Sequence, residues 1–317
     1  MANCSICSKQ AIYVIKSGGL ALCKKHFLEY FDRKVRRTIR KNKLFRKNEH
    51  IVIAVSGGKD SLSLLHYTVN LSKRARMGWR ITALTIDEGI SGYRDYTIKR
   101  VEELSSSLGV ELKIASFKDY FGYTLDEVVK ISGERGLPYL PCTYCGVFRR
   151  YLLNRVAREI SGTVLATAHH LDDVVQTYLI NIFNNNWSNI HKLTPSLTSI
   201  HKLFVRRVKP FYEVLEKETT LYAILNGLYP SERTECPYAP LSFRWQVRRV
   251  LNYLEESRPG LKYSTMKSLM EATSLKNVAS SEAMTCIVCG EPSSHEVCKA
   301  CQLRAELGLL ELREVKT

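Results

Sequence analysis

Apolar positions along this chain form short unbroken runs, and between them lie longer stretches in which apolar residues recur at helical spacing. "HIVIAVSGG" is apolar up to its glycines and predicts a buried strand; "KDSLSLLHYTVNLSKRARM" after it predicts a helix. "WRITALTIDEGI" predicts a second strand, and "YTIKRVEELSSSLG" a helix closed by Gly109. "VELKIASF" predicts a third strand, "TLDEVVKISGERG" and "GVFRRYLLNRVAREISG" two helices, "TVLATAHH" a fourth strand, and "LDDVVQTYLINIFNNN" a further helix. Such alternation predicts an α/β fold, a parallel sheet with helices on both faces and ligands gathered where strands end and helices begin.

Elsewhere the pattern is thinner. Phe31, Val35, Ile39 and Leu44 predict a basic amphipathic helix over Phe31 to Lys47. Leu193 to Val208 is irregular, "VKPFYEVLEKETTLYAILNGL" reads as a turn into a helix, and "RWQVRRVLNYLEE" as one more helix. "ESRPGLKYST" and "SLKNVASSEAM" carry the turn residues of a linker. The expected organisation is an N-terminal metal module over 1–29, a basic helical linker over 30–48, the α/β domain over 49–282 and a C-terminal metal module over 283–317.

Composition narrows the class. At 317 residues, 45% hydrophobic and 25% charged, the chain is globular rather than disordered. It has no run of about 18 apolar residues, and its first residues have neither a basic nor an apolar targeting region. A cytoplasmic protein without a membrane partner is expected. Forty-seven Lys and Arg against 31 Asp and Glu leave a net charge of +16, which points to a polyanionic partner, nucleic acid first. The excess concentrates in "RKVRRTIRKNKLFRK", "VRRVKP" and "FRWQVRR".

Ten cysteines in such a chain indicate metal or catalytic sulfur rather than disulfides. Cys4, Cys7, Cys23 and His26 form one closed set of four ligands, two paired knuckles separated by fifteen residues. Cys286, Cys289, Cys298 and Cys301 repeat the plan with eight residues between. Both spacings suit structural, tetrahedral Zn²⁺. Cys142, Cys145 and Cys236 form an incomplete set, with ninety residues separating the last two. Three ligands imply an open coordination position, a redox pair with a spare, or an unidentified fourth ligand.

The loop "SGGKDS" follows a strand and opens a helix, so its backbone N–H groups and the helix N-terminus converge on an anion. Gly57 and Gly58 let the backbone approach a phosphate, Lys59 adds charge, and Ser56 and Ser61 offer hydroxyls. Asp60 requires a second role, holding Mg²⁺ or positioning another group. The spacing is too short for a P-loop NTPase.

This loop resembles the PP-loop of the N-type ATP pyrophosphatase superfamily, whose members cut ATP between its α and β phosphates and adenylate a substrate. With the two framing cysteine sets, "TIDEGISGYR", "PCTYCGVFRR", "HHLDD" and the lone cysteine of "ECPY", the whole chain resembles the TtuA/Ncs6/Ctu1 family of tRNA uridine 2-thiolation enzymes. That resemblance implies a Rossmann-like ATPase domain flanked by two zinc modules. It implies ATP binding by Ala54, Ser56, Gly57, Gly58, Lys59, Asp60, Ser61, Ile86, Asp87, Arg149, Ala168 and Asp173. It implies Asp60 and Asp173 at the active centre, and a [4Fe–4S] cluster on Cys142, Cys145 and Cys236. Family members usually read Gly-His-Asn before the acidic pair, where this chain has Ala168, His169 and His170.

The implied reaction transfers AMP to the O2 oxygen of a tRNA uridine, at wobble position 34 or T-loop position 54, and replaces that oxygen with sulfur. Mg²⁺ aids the first step, and a ubiquitin-like thiocarboxylate protein or free sulfide supplies the sulfur. A homodimer is implied as well. Two rivals are another tRNA-adenylating enzyme of the lysidine-synthetase kind, which leaves three cysteines unused, and an inactive zinc-ribbon RNA-binding protein, which leaves a complete loop unused. Plainer readings compete at single residues. Asp172 and Asp173 suit a helix start, with Asp173 and Gln176 spaced as a capping box; Asp87 and Glu88 suit a solvated loop; His169 and His170 are given no chemistry.

Overall fold

The computed structural model describes residues 2–197, 201–230, 235–275 and 284–311. In chain order the elements are β1 (Tyr13–Ile15), β2 (Leu20–Leu22), α1 (Lys24–Lys41), β3 (His50–Ala54), α2 (Lys59–Ala75), β4 (Arg80–Asp87), α3 (Arg94–Leu108), β5 (Glu111–Ser116), α4 (Phe117–Phe121), α5 (Leu125–Glu134), α6 (Pro141–Glu159), β6 (Val164–Ala166) and α7 (Leu171–Phe183). A 3₁₀ turn (Trp187–Leu193), β7 (Ser196–Leu197), β8 (Arg206–Val208), α8 (Glu216–Leu225), α9 (Arg244–Ser257), α10 (Leu261–Leu275), β9 (Met284–Thr285), β10 (Pro292–Ser293) and α11 (Lys299–Glu306) follow.

The main sheet has the order β5-β4-β3-β6-β8-β7, with every pair parallel except β7 against β8. The chain enters at β3, builds outward through β4 and β5, then returns to β3's other side with β6. The strand order therefore reverses between β3 and β6, which is where open α/β sheets leave a crevice at their carboxyl ends. The four expected strands and their helices are present. β8 is an addition: three residues reading Arg-Arg-Val show no apolar run, and sheet pairing to β6 decides their state.

Helix α1 differs from expectation. It runs from Lys24 to Lys41, starting inside the first cysteine set and stopping before Leu44, because Lys43 adopts φ 48°. Phe27, Phe31 and Val35 are fully buried, and Phe31 stacks on Tyr222 of α8 at 4.4 Å between centroids. Burial of each such side chain is worth about 1.5–3 kcal/mol, so apolar packing rather than its basic face fixes this helix. The linker expected at "ESRPGLKYST" shrinks to a three-residue turn between the end of α9 and the start of α10, which packs on α7 and α9. "SLKNVASSEAM" falls mostly on 276–283, outside the described residues. The C-terminal cysteine set shares a core with α6: Cys286, Cys298, Cys301, Leu303 and Leu307 lie in one apolar cluster with Phe148 and Leu152.

Candidate active site at the carboxyl edge of the sheet

The loop after β3 is held in place by its own hydroxyls. Ser61 Oγ donates to Gly58 O at 2.9 Å and accepts from Ser56 N at 3.1 Å. Gly57 has φ 84°, and a Cβ there would lie 2.3 Å from the carbonyl oxygen of Thr97, so no other residue fits without distortion. Gly58, the N-cap of α2, has ordinary φ, and a Cβ would meet nothing nearer than Ser56 Oγ at 3.6 Å. The two glycines thus serve different ends: close packing at Gly57, an open approach to the amides of α2 at Gly58.

Arg94, on no sequence-derived roll of site residues, ties this loop to the end of β4. It is buried and donates to Ser56 O at 2.9 Å and Ile86 O at 2.6 Å. Its Nε lies 2.8 Å from Glu88 Oε2, close in charge although the N–H is not well aimed at the oxygen. Glu88 is therefore no solvated loop acid: it is 3% exposed and lies between Arg94 and Arg149, the latter at 3.4 Å. Asp87 turns its carboxylate to the backbone N–H of Gly89 at 2.8 Å.

Across the crevice, α7 begins at the end of β6. Its capping box pairs His170 with Asp173, not Asp173 with Gln176: His170 Nδ1 accepts from Asp173 N at 3.3 Å, and Asp173 Oδ2 accepts from His170 N at 3.2 Å. His170 also stands 3.9 Å from Asp60 Oδ2 and 3.4 Å from Asp173 Oδ2, so a histidine given no chemistry joins the two acids. Burial pushes the Asp173 carboxyl up, but His170, His169 and Arg244 outweigh it and hold the group below its ordinary range. Asp60 accepts from Lys59 Nζ at 2.8 Å and from the hydroxyl of Thr219. Lys59 also reaches Glu216 at 3.4 Å, and Arg248 reaches the same carboxylate at 2.8 Å. These acids raise Lys59 above the ordinary lysine value, against the opposing effect of burial. Asp60, His170, Asp173, Glu216, Arg244 and Arg248 line a single cavity of about 290 Å³.

Asp172, the other member of the acidic pair, faces inward. It pairs with buried Lys262 and accepts from Glu216 N at 2.7 Å, which makes it a brace for α8 and α10.

The sequence pattern sets Cys142 and Cys145 just ahead of a helix; they are the second and fifth residues within it, because Pro141 starts α6. Three residues apart on a helix, they share a face. Cys142 Sγ lies 3.8 Å from Tyr238 O, on the segment that carries Cys236, and both thiols feel the charge of Cys236. Burial pushes Cys145 up to about 11 and raises Cys142 too, the opposite of a lone activated nucleophile. Among the described residues, the tight metal-ligand groups are the two terminal sets; these three thiols are not gathered that closely. Three converging thiols, set wider than a single ion needs and lacking a fourth ligand, fit an iron–sulfur cluster with one open iron.

The terminal sets fit single ions. Cys4, Cys7, Cys23 and His26 hold their ligand atoms within 4.8 Å of one another, as do Cys286, Cys289, Cys298 and Cys301. Cys7 and Cys23 sulfurs are 3.7 Å apart, and so are Cys289 and Cys298. Thiolates about 2.3 Å from a tetrahedral zinc stand about 3.8 Å from each other. The N–H groups of Cys298 and Cys301 donate to the sulfurs of Cys286 and Cys298, the outer-shell support a ligating thiolate needs.

Residues 28–229 match the PP-loop domain family, and residues 3–28 match the N-terminal LIM domain of the 2-thiouridine synthetase TtuA. The tRNA-5-methyluridine(54) 2-sulfurtransferase of Pyrococcus horikoshii is 37% identical over 95% of this chain and 93% of its own. This chain belongs to the PP-loop family of tRNA 2-thiolation enzymes. The cytoplasmic tRNA 2-thiolation protein 1 of Saccharomyces cerevisiae is 36% identical over 95% of this chain and 85% of its own. Among solved structures, the U34-tRNA thiolase NcsA of Methanococcus maripaludis with its [4Fe–4S] cluster superposes with a TM-score of 0.84, at 35% identity and covering 98% of both chains. Among the described residues, no helix of this PP-loop protein is long and apolar enough to cross a membrane.

Sequence reasoning missed Glu216, Thr219, Arg244 and Arg248. They reach the site from α8 and α9, more than 150 residues beyond the loop they serve. The basic run of "FRWQVRR", part of the charge excess that points to nucleic acid, signals Arg244 and Arg248; Glu216 and Thr219 have no such mark.

Proposed function

We propose that this chain is an ATP-dependent tRNA uridine 2-sulfurtransferase. One observation carries the reading: the nucleotide loop, the Asp60, His170 and Asp173 group, and the cysteine-bearing start of α6 open onto one edge of the sheet. ATP phosphates occupy Ser56, Gly57, Gly58, Lys59 and Ser61, whose amides and helix N-terminus receive anions. Ala54, Ile86, Asp87 and Ala168 border the adenosine, and Arg149 reaches toward the nucleotide.

The uridine O2 attacks the α-phosphorus, the bond to the β-phosphate oxygen breaks, and pyrophosphate leaves as the base loses its N3 proton. Lys59 and the loop amides stabilise charge developing on pyrophosphate. Hydrosulfide then adds to C2, the C2–O bond breaks, AMP departs, and the hydrosulfide proton restores N3–H. His170 fixes Asp173 and lies against Asp60, so the two carboxylates keep their orientation through both steps.

Asp60 and Asp173 suit Mg²⁺, which takes one or two carboxylates and completes its shell with phosphate oxygens and water; when bound, it neutralises charge on the phosphates. Cys142, Cys145 and Cys236 would hold a [4Fe–4S] cluster, which supplies an open iron for sulfur. The two terminal sets would hold structural Zn²⁺. The sulfur reaches the site as hydrosulfide or on a thiocarboxylate carrier protein, and the working assembly is a homodimer.

The test is a reaction of unmodified tRNA transcript with anaerobic protein, ATP and sulfide, read by nucleoside mass spectrometry. Appearance of 2-thiouridine with one AMP formed per sulfur inserted is expected. ATP turnover that ignores tRNA, or a product without sulfur, sinks the reading.

A further inference from the structure

Beside the acids and cysteines lies a group of cations that the mechanism above does not use. Arg150 projects from α6, Lys192 from the 3₁₀ turn, Arg207 from β8 and Lys209 from just beyond it. Topology brings them together. β8 runs parallel to β6 with Arg207 opposite Leu165, and Thr167 N donates to Val208 O at 2.9 Å. The chain thus leaves β8 at the same edge as His169 and Asp173. Lys209 Nζ is braced by the carbonyl oxygens of Thr194 at 2.6 Å and Lys192 at 3.2 Å, and Lys192 Nζ donates to Asn189 Oδ1 at 2.7 Å.

Among the described residues, none of these four pairs with a carboxylate, and Arg150 and Arg207 make no side-chain hydrogen bond. Their neighbour Arg149 differs, being balanced by Glu88. Burial pushes the half-buried Arg207 and Lys209 toward their neutral forms, and like charge acts across the whole set: Arg149 on Arg150, Arg150 on Lys192 and Arg207, and Arg207 on Lys209. Four like charges gathered without a counter-charge, Arg207 and Lys209 half-buried and Arg150 and Lys192 at the surface, make a site that an anion completes.

Their position says which anion. From Asp60 the site passes through His170 and Asp173 to His169, whose next charged neighbours are Lys209 and Arg207; Arg150 lies five residues beyond Cys145 on α6 and feels its charge. The cations therefore fill the interval between the acids and the cysteines. ATP phosphates have the loop at the start of α2, where Lys59 already serves them. Hydrosulfide carries a single charge and does not need four cations from three elements.

A base held between Asp173 and Cys145 brings its flanking phosphates into that interval. We propose that Arg150, Lys192, Arg207 and Lys209 form a cradle for the RNA backbone phosphates flanking the target uridine, separate from the ATP loop. This assignment rests on the tRNA-thiolation reading. It makes the four positioning residues, which hold the nucleotide so that its O2 faces ATP and its C2 faces the sulfur site.

The test measures binding of unmodified tRNA by fluorescence anisotropy over a range of salt, using anaerobic full-length protein. Wild type is compared with Arg150→Gln, Arg207→Gln and Arg207→Lys, and affinity for a non-hydrolysable ATP analogue is measured in parallel. Each Gln variant is expected to bind tRNA about fivefold more weakly. Its slope of log affinity against log salt should be shallower by about 0.7 to 0.9, the share of one phosphate contact. Arg207→Lys should restore the slope, and analogue affinity should not move in any variant.

Unchanged tRNA affinity and slope in both Gln variants would overturn the cradle while leaving the thiolation reading intact. Thiolation lost only with a protein sulfur donor, and kept with free sulfide, would overturn it in favour of an acidic carrier docking there. Wild-type protein that neither binds nor thiolates tRNA would remove the underlying reading, and the cradle with it.

Discussion

Lys59 Nζ lies 2.8 Å from Oδ2 of its own neighbour Asp60, so the single cation of the nucleotide loop is neutralised in place by the next residue. An arriving phosphate must draw the ammonium away, which leaves Asp60 free for its own work. Asp60→Asn should therefore keep affinity for an ATP analogue while lowering tRNA-dependent AMP formation by at least about a hundredfold. Calorimetry and a single-turnover assay separate the two effects; a variant that loses affinity and retains turnover would contradict this role.

Adjacent glycines should respond differently to the same change. Gly57→Ala forces a Cβ onto Thr97 O in a backbone region that L-residues avoid, and should cost about 3 kcal/mol in urea unfolding. Gly58→Ala meets only Ser56 Oγ at 3.6 Å, so its stability should stay within about 0.5 kcal/mol of wild type. Comparable losses in the two variants would show that Thr97 is not what excludes a side chain at Gly57.

Iron and zinc should separate by residue. Protein purified without oxygen should show the broad visible absorption of an iron–sulfur centre, and Cys142→Ser, Cys145→Ser or Cys236→Ser should each abolish it without altering zinc content. Elemental analysis checks both metals in one sample. Iron retained in any of the three would remove that thiol from the set.

Cys301→Ser should release one zinc per chain and lower the melting temperature by well over 5 °C, because its set is built into the apolar core with Leu303 and Phe148. Cys7→Ser should release the other zinc and loosen β1, β2 and the start of α1, leaving the iron centre in place. Loss of iron in the second variant would mean that the two ends communicate.

Lys209 gives a pH signature. Burial, with Arg207 beside it, pushes its ammonium from 10.5 down to about 7. Between those values the unfolded chain holds a proton that the folded chain lacks. Stability owed to this group is therefore present above pH 10.5 and lost as pH falls toward 7. Relative to Lys209→Met, wild type should gain stability in urea between pH 7 and 9. Phosphate binding draws the proton back, so tRNA affinity should fall as pH rises above 7, by at most about tenfold per unit. Lys209→Met should flatten that fall, and an unflattened profile would assign it to another group.

Much of this was legible in the chain. Apolar runs such as "HIVIAV" mark strands buried on both faces, and four-ligand cysteine spacings mark metal sets, because each pattern admits few structural solutions. What escaped was decided at a distance. Three residues reading Arg-Arg-Val become β8 only because β6 offers a pairing edge. His170 caps α7 and bridges two acids, although histidine is not among the favoured capping residues, since Asp60 and Asp173 converge on it. Glu88 looks like a loop acid until Arg94, six residues on, folds back beneath it. The cysteine pair stands ahead of the helix in the sequence pattern, which becomes apolar only from "GVFRRYLL", whereas Pro141 opens the helix before the pair.

The docking of α11 against α6 has a consequence for biosynthesis. Leu303 and Leu307, fully buried beside Phe148 and Leu152, leave the ribosome well after the helix they cover. Until they emerge, the helix that begins with Cys142 and Cys145 has a bare apolar flank. The wall behind the sulfur pair is thus finished long after the pair itself is made, and a chain whose α11 has not docked holds Cys142 and Cys145 on an unsupported helix.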